Sequence, residues 1–290
     1  MSAEPKSAEP TLIIRNGTIV DGTGAEPVEA DLALAGDRIV GIGDFGAQSA
    51  VEEIDARGKL VTPGFVDIHT HYDAQLVWDQ TLSISPWHGV TTAVVGNCGF
   101  GIAPMRPAHR EMAMRTLEKV EGMSYDSLHA GLGAEGPFES YTSYLDLIEW
   151  RGVSINVGAF IGHTPLRLFV MGEEATEREA TQAEIEAMQA IVREAMNVGA
   201  LGFSTSKAPT HHGYMGKPVP SRLASFGEID TLGDALEGGG VVGEYDPDVG
   251  AWSLLSHSSL PFAVKLMVDD VVGWRWASCR RWSSRLATIR

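Results

Sequence analysis

The chain has 290 residues, of which 44% are hydrophobic and 21% are charged, and its formal net charge is −16. The composition is typical of a globular protein, and the length suffices for one large core or for two domains. The acidic balance argues against a nucleic-acid partner and against an anionic membrane, because both require a basic surface.

The chain begins with a polar segment, and we expect residues 1–10 to be disordered. They contain no apolar run after a basic start, and no stretch of 18 apolar residues occurs in the sequence. We therefore expect neither a signal peptide nor a transmembrane helix. Only Cys98 and Cys279 are present, too few for a disulfide scaffold. These features together predict a cytoplasmic protein.

Residues 11–60 have the pattern of short antiparallel strands. The dipeptides Asn16-Gly17 and Gly36-Asp37 each separate two apolar runs, and both predict tight hairpins. Polar and apolar residues alternate within the runs, which is typical of a sheet that is covered on one face. This region is expected to be a small β-domain or part of one.

After residue 60 the pattern changes to strand, loop and helix. Helices are predicted near 107–120, 139–150 and 226–237, and a further one starts at the capping box of Thr181 and Glu184 and stops at Gly199. Repeated βα units with short links imply a parallel sheet covered by helices. Four units are half of an eight-unit barrel, so residues 61–242 predict an α/β fold, a partial TIM-like barrel. The predicted strands cover 59–68, 91–95, 155–161 and 200–206.

The βα pattern stops near Gly243. Residues 243–290 contain four of the seven tryptophans, and no further strand and helix period is visible. We interpret this segment as an out-of-frame or otherwise aberrant tail, with a divergent C-terminal extension as the alternative.

His69 and His71 follow the first predicted buried strand. Alternate residues of a strand share one face, so both imidazoles can reach one metal ion at the carboxyl end of the strand. Barrel enzymes place their sites at this end, and imidazole is a good ligand for zinc. The alternative is an exposed polar loop with two histidines. The buried strand before the pair and Asp73 after it favour the metal site.

Cys98 lies just past the second predicted strand, between glycines. A thiolate at this point can bind or bridge metal ions, whereas a lone cysteine is more often a small buried core residue. Its position one βα unit after the histidine pair, at the same end of the barrel, favours the ligand.

The third and fourth predicted strands also end in polar residues. His163 could face the same mouth and orient substrate or water, and the alternative is a structural histidine with satisfied hydrogen bonds. We interpret Ser204 and Ser206 as loop hydrogen-bonding residues, because no nucleophile elbow surrounds them. His211-His212 is a weaker candidate for a loop near the substrate, with a solvated loop as the alternative.

Five segments of the sequence resemble a known family. Two of them resemble the amidohydrolase superfamily, and three resemble its N-acyl-D-amino-acid deacylase (D-aminoacylase) branch. The resemblance covers about residues 11–242, and the segment around Cys98 is the most discriminating. The segments are 12–22 and 60–73 for the superfamily, and 89–101, 162–167 and 199–206 for the branch.

The resemblance implies a distorted TIM barrel beside a small β-sandwich, of which residues 11–60 are a part. It implies one or two Zn²⁺ ions, with His69 and His71 holding the more buried ion and Cys98 ligating or bridging. The implied reaction is hydrolysis of a non-peptide carbon–nitrogen bond by zinc-activated water, with an N-acyl-D-amino acid as the small-molecule amide substrate.

Residues after 242 match none of the family's later histidine ligands or its aspartate general base, so the general base is unassigned. We interpret the chain as an incomplete copy. The alternatives are another amidohydrolase reaction, either cyclic amide hydrolysis or deamination, and a non-catalytic metal-binding remnant of the fold.

Overall fold

A computed structural model describes residues 9–133, 136–236, 241–246 and 251–256, the last two spans as backbone only. The chain divides into two compact units, one ending at Gly64 and the other beginning at Phe65. None of the helices among the described residues combines the length and the apolar composition that crossing a lipid bilayer requires.

The first unit is a five-stranded sheet. Its central strand pairs with one antiparallel and two parallel neighbours, and Ile13 and Ala33 are fully buried in its interior. The strands are β1 (Leu12–Ile19), β2 (Val28–Ala35), β3 (Arg38–Gly43), β4 (Glu52–Asp55) and β5 (Leu60–Val61). Their order in the sheet is β3-β2-β1-β4, with β5 also pairing with β1.

The hairpin predicted at Asn16-Gly17 is wrong, because β1 runs through this dipeptide as one strand. Asn16 has a φ of +58°, and the pairing register with β2 shifts between Ile14 and Gly17. The positive φ that Asn tolerates is used for a β-bulge instead of a turn. The second prediction is confirmed, since β2 and β3 form an antiparallel hairpin around Gly36-Asp37.

The second unit has the predicted α/β fold, with a parallel sheet and helices between its strands. The strands are β6 (Phe65–Asp67), β7 (Val90–Val95), β8 (Asn156–Gly162), β9 (Gly202–Ser204), β10 (Val241–Asp246) and β11 (Ala251–Ser256). Their order in the sheet is β11-β10-β9-β8-β7-β6; β6 to β10 are parallel, and β11 is antiparallel to β10. These repeated βα units form a partial barrel.

The described residues of this unit form six α-helices. The helices are α1 (Arg110–Glu121), α2 (Tyr125–Leu132), α3 (Tyr141–Arg151), α4 (His163–Met171), α5 (Gln182–Asn197) and α6 (Phe226–Gly233). Helix α5 has the predicted capping box, in which Thr181 and Glu184 satisfy each other's backbone N–H groups. Helices α2 and α4 were not predicted. Helix α4 starts directly at the end of β8 and tolerates Pro165 because that residue lies in its first turn.

One hydrophobic core joins the sheet to its helices. Val95, Ile161 and Phe203 from three neighbouring strands are fully buried, as are Met188 and Val192 of α5. Because the strands are parallel and fixed by this core, the segments that follow them lie along one edge of the sheet.

The interpretation of residues 243–290 as an aberrant tail lies mostly outside the described residues. Only 243–246 and 251–256 are described, as backbone of β10 and β11.

Candidate metal centre

His69, His71 and Cys98 come together at the edge where β6 and β7 end. Each offers one ligand atom, and the three atoms lie within 4.8 Å of one another. The Sγ atom of Cys98 is 3.2 Å from Nε2 of His69 and 3.9 Å from Nε2 of His71. All three residues are half-buried. The structure therefore brings the three sequence-predicted metal ligands to one point.

The backbone after β6 fixes the two imidazoles on the same side. Thr70, which separates them, is buried, and its N–H and Oγ1–H both donate to the carbonyl oxygen of Val94, at 3.0 and 2.8 Å. The N–H of His69 donates to Oδ1 of Asp67 at 3.2 Å. Because Thr70 turns into the interior, its two neighbours turn away from it towards the sheet edge.

Cys98 lies in a tight turn that two glycines make possible. Its own φ is +58°, in the left-handed region. A Cβ at Gly96 would lie 2.2 Å from the carbonyl oxygen of Phe160, and a Cβ at Gly99 would lie 2.9 Å from Cα of Thr205. The turn is therefore held closely against the segments of β8 and β9, and larger residues at either glycine position would displace it.

Ser204 and Asn97 tie the cysteine turn to its surroundings. The Ser204 hydroxyl accepts from the N–H of Gly99 at 3.1 Å and donates to the carbonyl oxygen of Gly96. The buried Asn97 amide donates to the carbonyl oxygens of Thr70 at 3.2 Å and of Val94 at 2.9 Å. One amide group thus links the cysteine turn to the residue between the two histidines. The hydrogen bonds expected of Ser204 are present, although Ser204 is the last residue of β9 and not part of a loop.

The two imidazoles have opposite electrostatic environments. Burial lowers the pKa of His69, and the charge of His71 lowers it further. Burial also opposes protonation of His71, but Cys98 and then Glu121 outweigh it and raise the pKa of His71 to about 10. The Nδ1 atom of His71 lies 3.0 Å from Oε1 of Glu121, an ion-pair distance without hydrogen-bond alignment. His71 is therefore held between a sulfur atom and a carboxylate.

His163 follows β8 but lies in a closed hydrogen-bonding network. It is fully buried, and burial lowers its pKa. Its Nε2 atom is hydrogen-bonded to Oε1 of Glu228 at 2.8 Å, and its Nδ1 atom is hydrogen-bonded to the hydroxyl of Thr205 at 2.8 Å. Glu228 also pairs with the fully buried Arg167. This geometry favours a structural histidine, and contact with substrate stays a prediction.

His211 lies closer to the candidate centre than its place in the sequence indicates. Its ring packs edge-on against Phe100, with centroids 5.1 Å apart, and the centroid of Phe100 is 6.4 Å from that of His71. Burial lowers the pKa of His211, and the nearby positive charges lower it further. Ser206 lies 2.9 Å from its Nδ1 and accepts from the N–H of Ala208, so the loop interpretation of Ser206 is confirmed.

Two residues of the site were not predicted from the sequence. Glu121 contacts a candidate ligand, and Asn97 joins the segments that carry the ligands. Asn97 was visible only as part of a glycine-rich turn. Glu121 is the last residue of helix α1, and the periodicity of the sequence does not indicate that this end of the helix lies near the sheet edge. Only the packing of α1 brings this carboxylate to His71.

A family profile described as "Amidohydrolase family" matches residues 52–275, which is more than half of the chain. The chain belongs to the amidohydrolase family. The match includes the β6 and β7 segments that carry the two histidines and Cys98.

Several relatives and solved structures are similar to this chain. D-aminoacylase of Alcaligenes xylosoxydans xylosoxydans is 37% identical over 194 residues, which are 67% of this chain and 37% of that protein. A D-aminoacylase structure with a binuclear metal centre is similar to this chain with a TM-score of 0.62 and 34% sequence identity. The aligned region covers 77% of this chain and 42% of the D-aminoacylase chain.

A third similar protein is N-acyl-D-glutamate deacylase from Bordetella bronchiseptica, whose structure contains zinc and a phosphonate mimic of the tetrahedral intermediate. Its TM-score is 0.67 at 31% identity, and it covers 82% of this chain and 45% of that one. The chain therefore spans less than half the length of these relatives.

Proposed function

We propose that the chain carries the metal-binding part of a zinc-dependent hydrolase that cleaves the amide bond of N-acyl-D-amino acids. The observation that carries the proposal is the convergence of two imidazoles and one cysteine sulfur within 4.8 Å. The similar D-aminoacylase and N-acyl-D-glutamate deacylase support the substrate class.

The residues present fit zinc. Nitrogen and sulfur donors suit this ion, whereas Mg²⁺ and Ca²⁺ prefer oxygen ligands. The donors point at one another, and their half-buried position leaves access from the sheet edge. Two similar enzymes were solved with zinc or with a binuclear metal centre, which supports one or two ions at this edge.

His69, His71 and Cys98 would hold the ion. Bound zinc would supply Lewis acidity, polarising the amide carbonyl and making a water molecule nucleophilic at neutral pH. The tight turn at Cys98 and the hydrogen bonds of Thr70 keep the donors in place before any ligand arrives. We assign no general base, and a contact of His163 with substrate is a prediction only.

The low cysteine content supports a cytoplasmic location.

The first experiment measures zinc in the purified full chain, followed by hydrolysis of N-acetyl-D-amino acids with the L enantiomers as controls. We expect stoichiometric zinc in the unaltered chain and its loss in His69→Ala, and we expect no hydrolysis of the L substrates. A folded chain without zinc would refute the site. Stoichiometric zinc without hydrolysis would support the metal site and agree with the interpretation of the chain as an incomplete copy. Hydrolysis of the D substrates that is lost in His69→Ala would contradict that interpretation.

A further inference from the structure

Glu121 occupies an unusual place for an acidic residue. It is the last residue of α1, and Gly122 ends the helix with a φ of +69°. The carboxyl end of a helix carries partial negative charge, so a carboxylate there is disfavoured unless a cationic or hydrogen-donating group compensates it. The compensating group of Glu121 is an imidazole of the candidate metal centre.

The contact is direct and shielded from water. Oε1 of Glu121 lies 3.0 Å from Nδ1 of His71, and the two side chains are 15% and 28% exposed. The other glutamates of the helix, Glu111 and Glu118, both pair with Arg115. Glu121 thus differs from its neighbours in the type of group that it contacts.

The two ring nitrogens of His71 face different partners. Nδ1 faces Glu121, and Nε2 faces Cys98 at 3.9 Å. An imidazole that binds metal through one nitrogen carries its proton on the other, and an acceptor at that second nitrogen fixes the tautomer and the ring orientation. Such acceptors also make the ligand more basic, which strengthens its bond to the metal.

We propose that Glu121 is a positioning residue of the zinc site. Its carboxylate lies 3.0 Å from Nδ1 of His71, and it would align to accept a hydrogen bond from Nδ1–H when Nε2 binds the ion. This inference rests on the proposed function, because it requires that His71 binds zinc. A purely structural ion pair between α1 and the segment after β6 would instead affect folding and leave zinc affinity unchanged.

The test compares Glu121→Ala and Glu121→Gln with Glu111→Gln, a matched control whose side chain is on the same helix and 64% exposed. Zinc dissociation constants of the full chain are measured by chelator competition, and the stability of each metal-free protein is measured by urea unfolding. Affinity, not activity, is the readout.

We expect Glu121→Ala to weaken zinc binding about 10- to 100-fold, as loss of a residue that orients a ligand does. Glu121→Gln should weaken zinc binding by at least about threefold, but by less than Glu121→Ala does. Its amide oxygen still accepts a hydrogen bond but carries no charge. Glu111→Gln should bind like the unaltered chain.

Unchanged affinity in Glu121→Ala would overturn the inference and leave the proposed function intact. If the alanine variant does not fold, the glutamine variant decides, and affinity equal to that of the unaltered chain would overturn the inference. Absence of zinc from the unaltered folded chain would overturn the proposed function and this inference together.

Discussion

Two histidine-containing regions follow strands of the same parallel sheet and use their side chains in opposite ways. After β6, His69 and His71 direct their Nε2 atoms towards Cys98 and remain half-buried. After β8, His163 is fully buried, and its two ring nitrogens are hydrogen-bonded to Glu228 and Thr205. In the first region, potential metal ligands lie around one point. In the second region, both ring nitrogens are already engaged in hydrogen bonds within the protein.

The difference shows that a histidine at the end of a barrel strand is not by itself evidence of a functional site. The groups that contact the imidazole indicate whether the histidine is available to a ligand or serves the packing of the interior. Glu228 and Arg167 neutralise each other in the interior, and His163 completes their hydrogen bonding. In the region after β6 a soft sulfur donor faces two imidazoles, an arrangement that suits a borderline metal ion. The following predictions test this contrast, from the largest expected effect to the smallest.

Cys98→Ala removes the donor that both imidazoles face. We expect zinc affinity to fall by about 100-fold or more, which exceeds the loss caused by changing a residue that only contacts a ligand. Chelator competition measures it, with His129→Gln, an exposed histidine of α2, as the control. Equal affinity in Cys98→Ala and the unaltered chain would remove the basis of the contrast.

Glu228→Ala leaves Arg167 and His163 buried without their carboxylate. We expect the free energy of unfolding to fall by about 3–5 kcal/mol, the usual cost of breaking a buried ion pair. Urea unfolding measures it, and Glu174→Ala, which breaks an exposed pair with Arg178, should cost about 1 kcal/mol or less.

The zinc affinity of the folded Glu228→Ala protein should not change. If the alanine variant is not recovered folded, Glu228→Gln serves in its place. A loss of zinc affinity with full stability in either variant would show that the two regions act as one site.

Asn97→Ala removes the amide that joins the cysteine turn to the backbone between the histidines. We expect the free energy of unfolding to fall by about 1–3 kcal/mol, because buried carbonyl groups lose a donor. Zinc affinity should fall as well, since the two ligand-bearing segments are no longer tied together. A stability loss with unchanged affinity would contradict the positioning role of this amide.

Glu184→Gln tests a charge that belongs to neither histidine region. The Arg178 guanidinium lowers the pKa of Glu184 to about 2, below its ordinary value of 4.5. A lowered folded-state pKa stabilises the protein above the unfolded-state value, and this contribution disappears as the pH falls from about 4.5 to about 2.

The substitution should therefore cost about 0.5–1 kcal/mol at pH 7 and progressively less below pH 4.5, measured by urea unfolding. A cost that is independent of pH would show that charge is not its origin. Zinc affinity should stay constant, which makes this variant a further control for the metal centre.

Much of the second unit follows from local sequence patterns. The apolar runs predict β7, β8 and β9 because buried parallel strands have few polar residues, and the capping box predicts α5 because both partners lie within one helical turn. The meeting of His69, His71 and Cys98 follows from strand order, since the carboxyl ends of parallel strands share an edge.

The features that were missed depend on contacts between distant segments. The Asn-Gly dipeptide permits both a turn and a bulge, and only pairing with β2 selects the bulge. Glu228 lies 65 residues beyond His163, and no local pattern joins them. Glu121 reaches His71 only because α1 packs beside the sheet edge.

The left-handed backbone of Cys98 sets local stability against metal binding. A non-glycine residue in this conformation costs about 1–2 kcal/mol, a cost that glycine avoids. The sulfur atom faces both imidazoles, so Cys98→Gly would relieve the backbone and remove the donor. At position 98, a candidate metal ligand is thus present at the expense of local backbone stability.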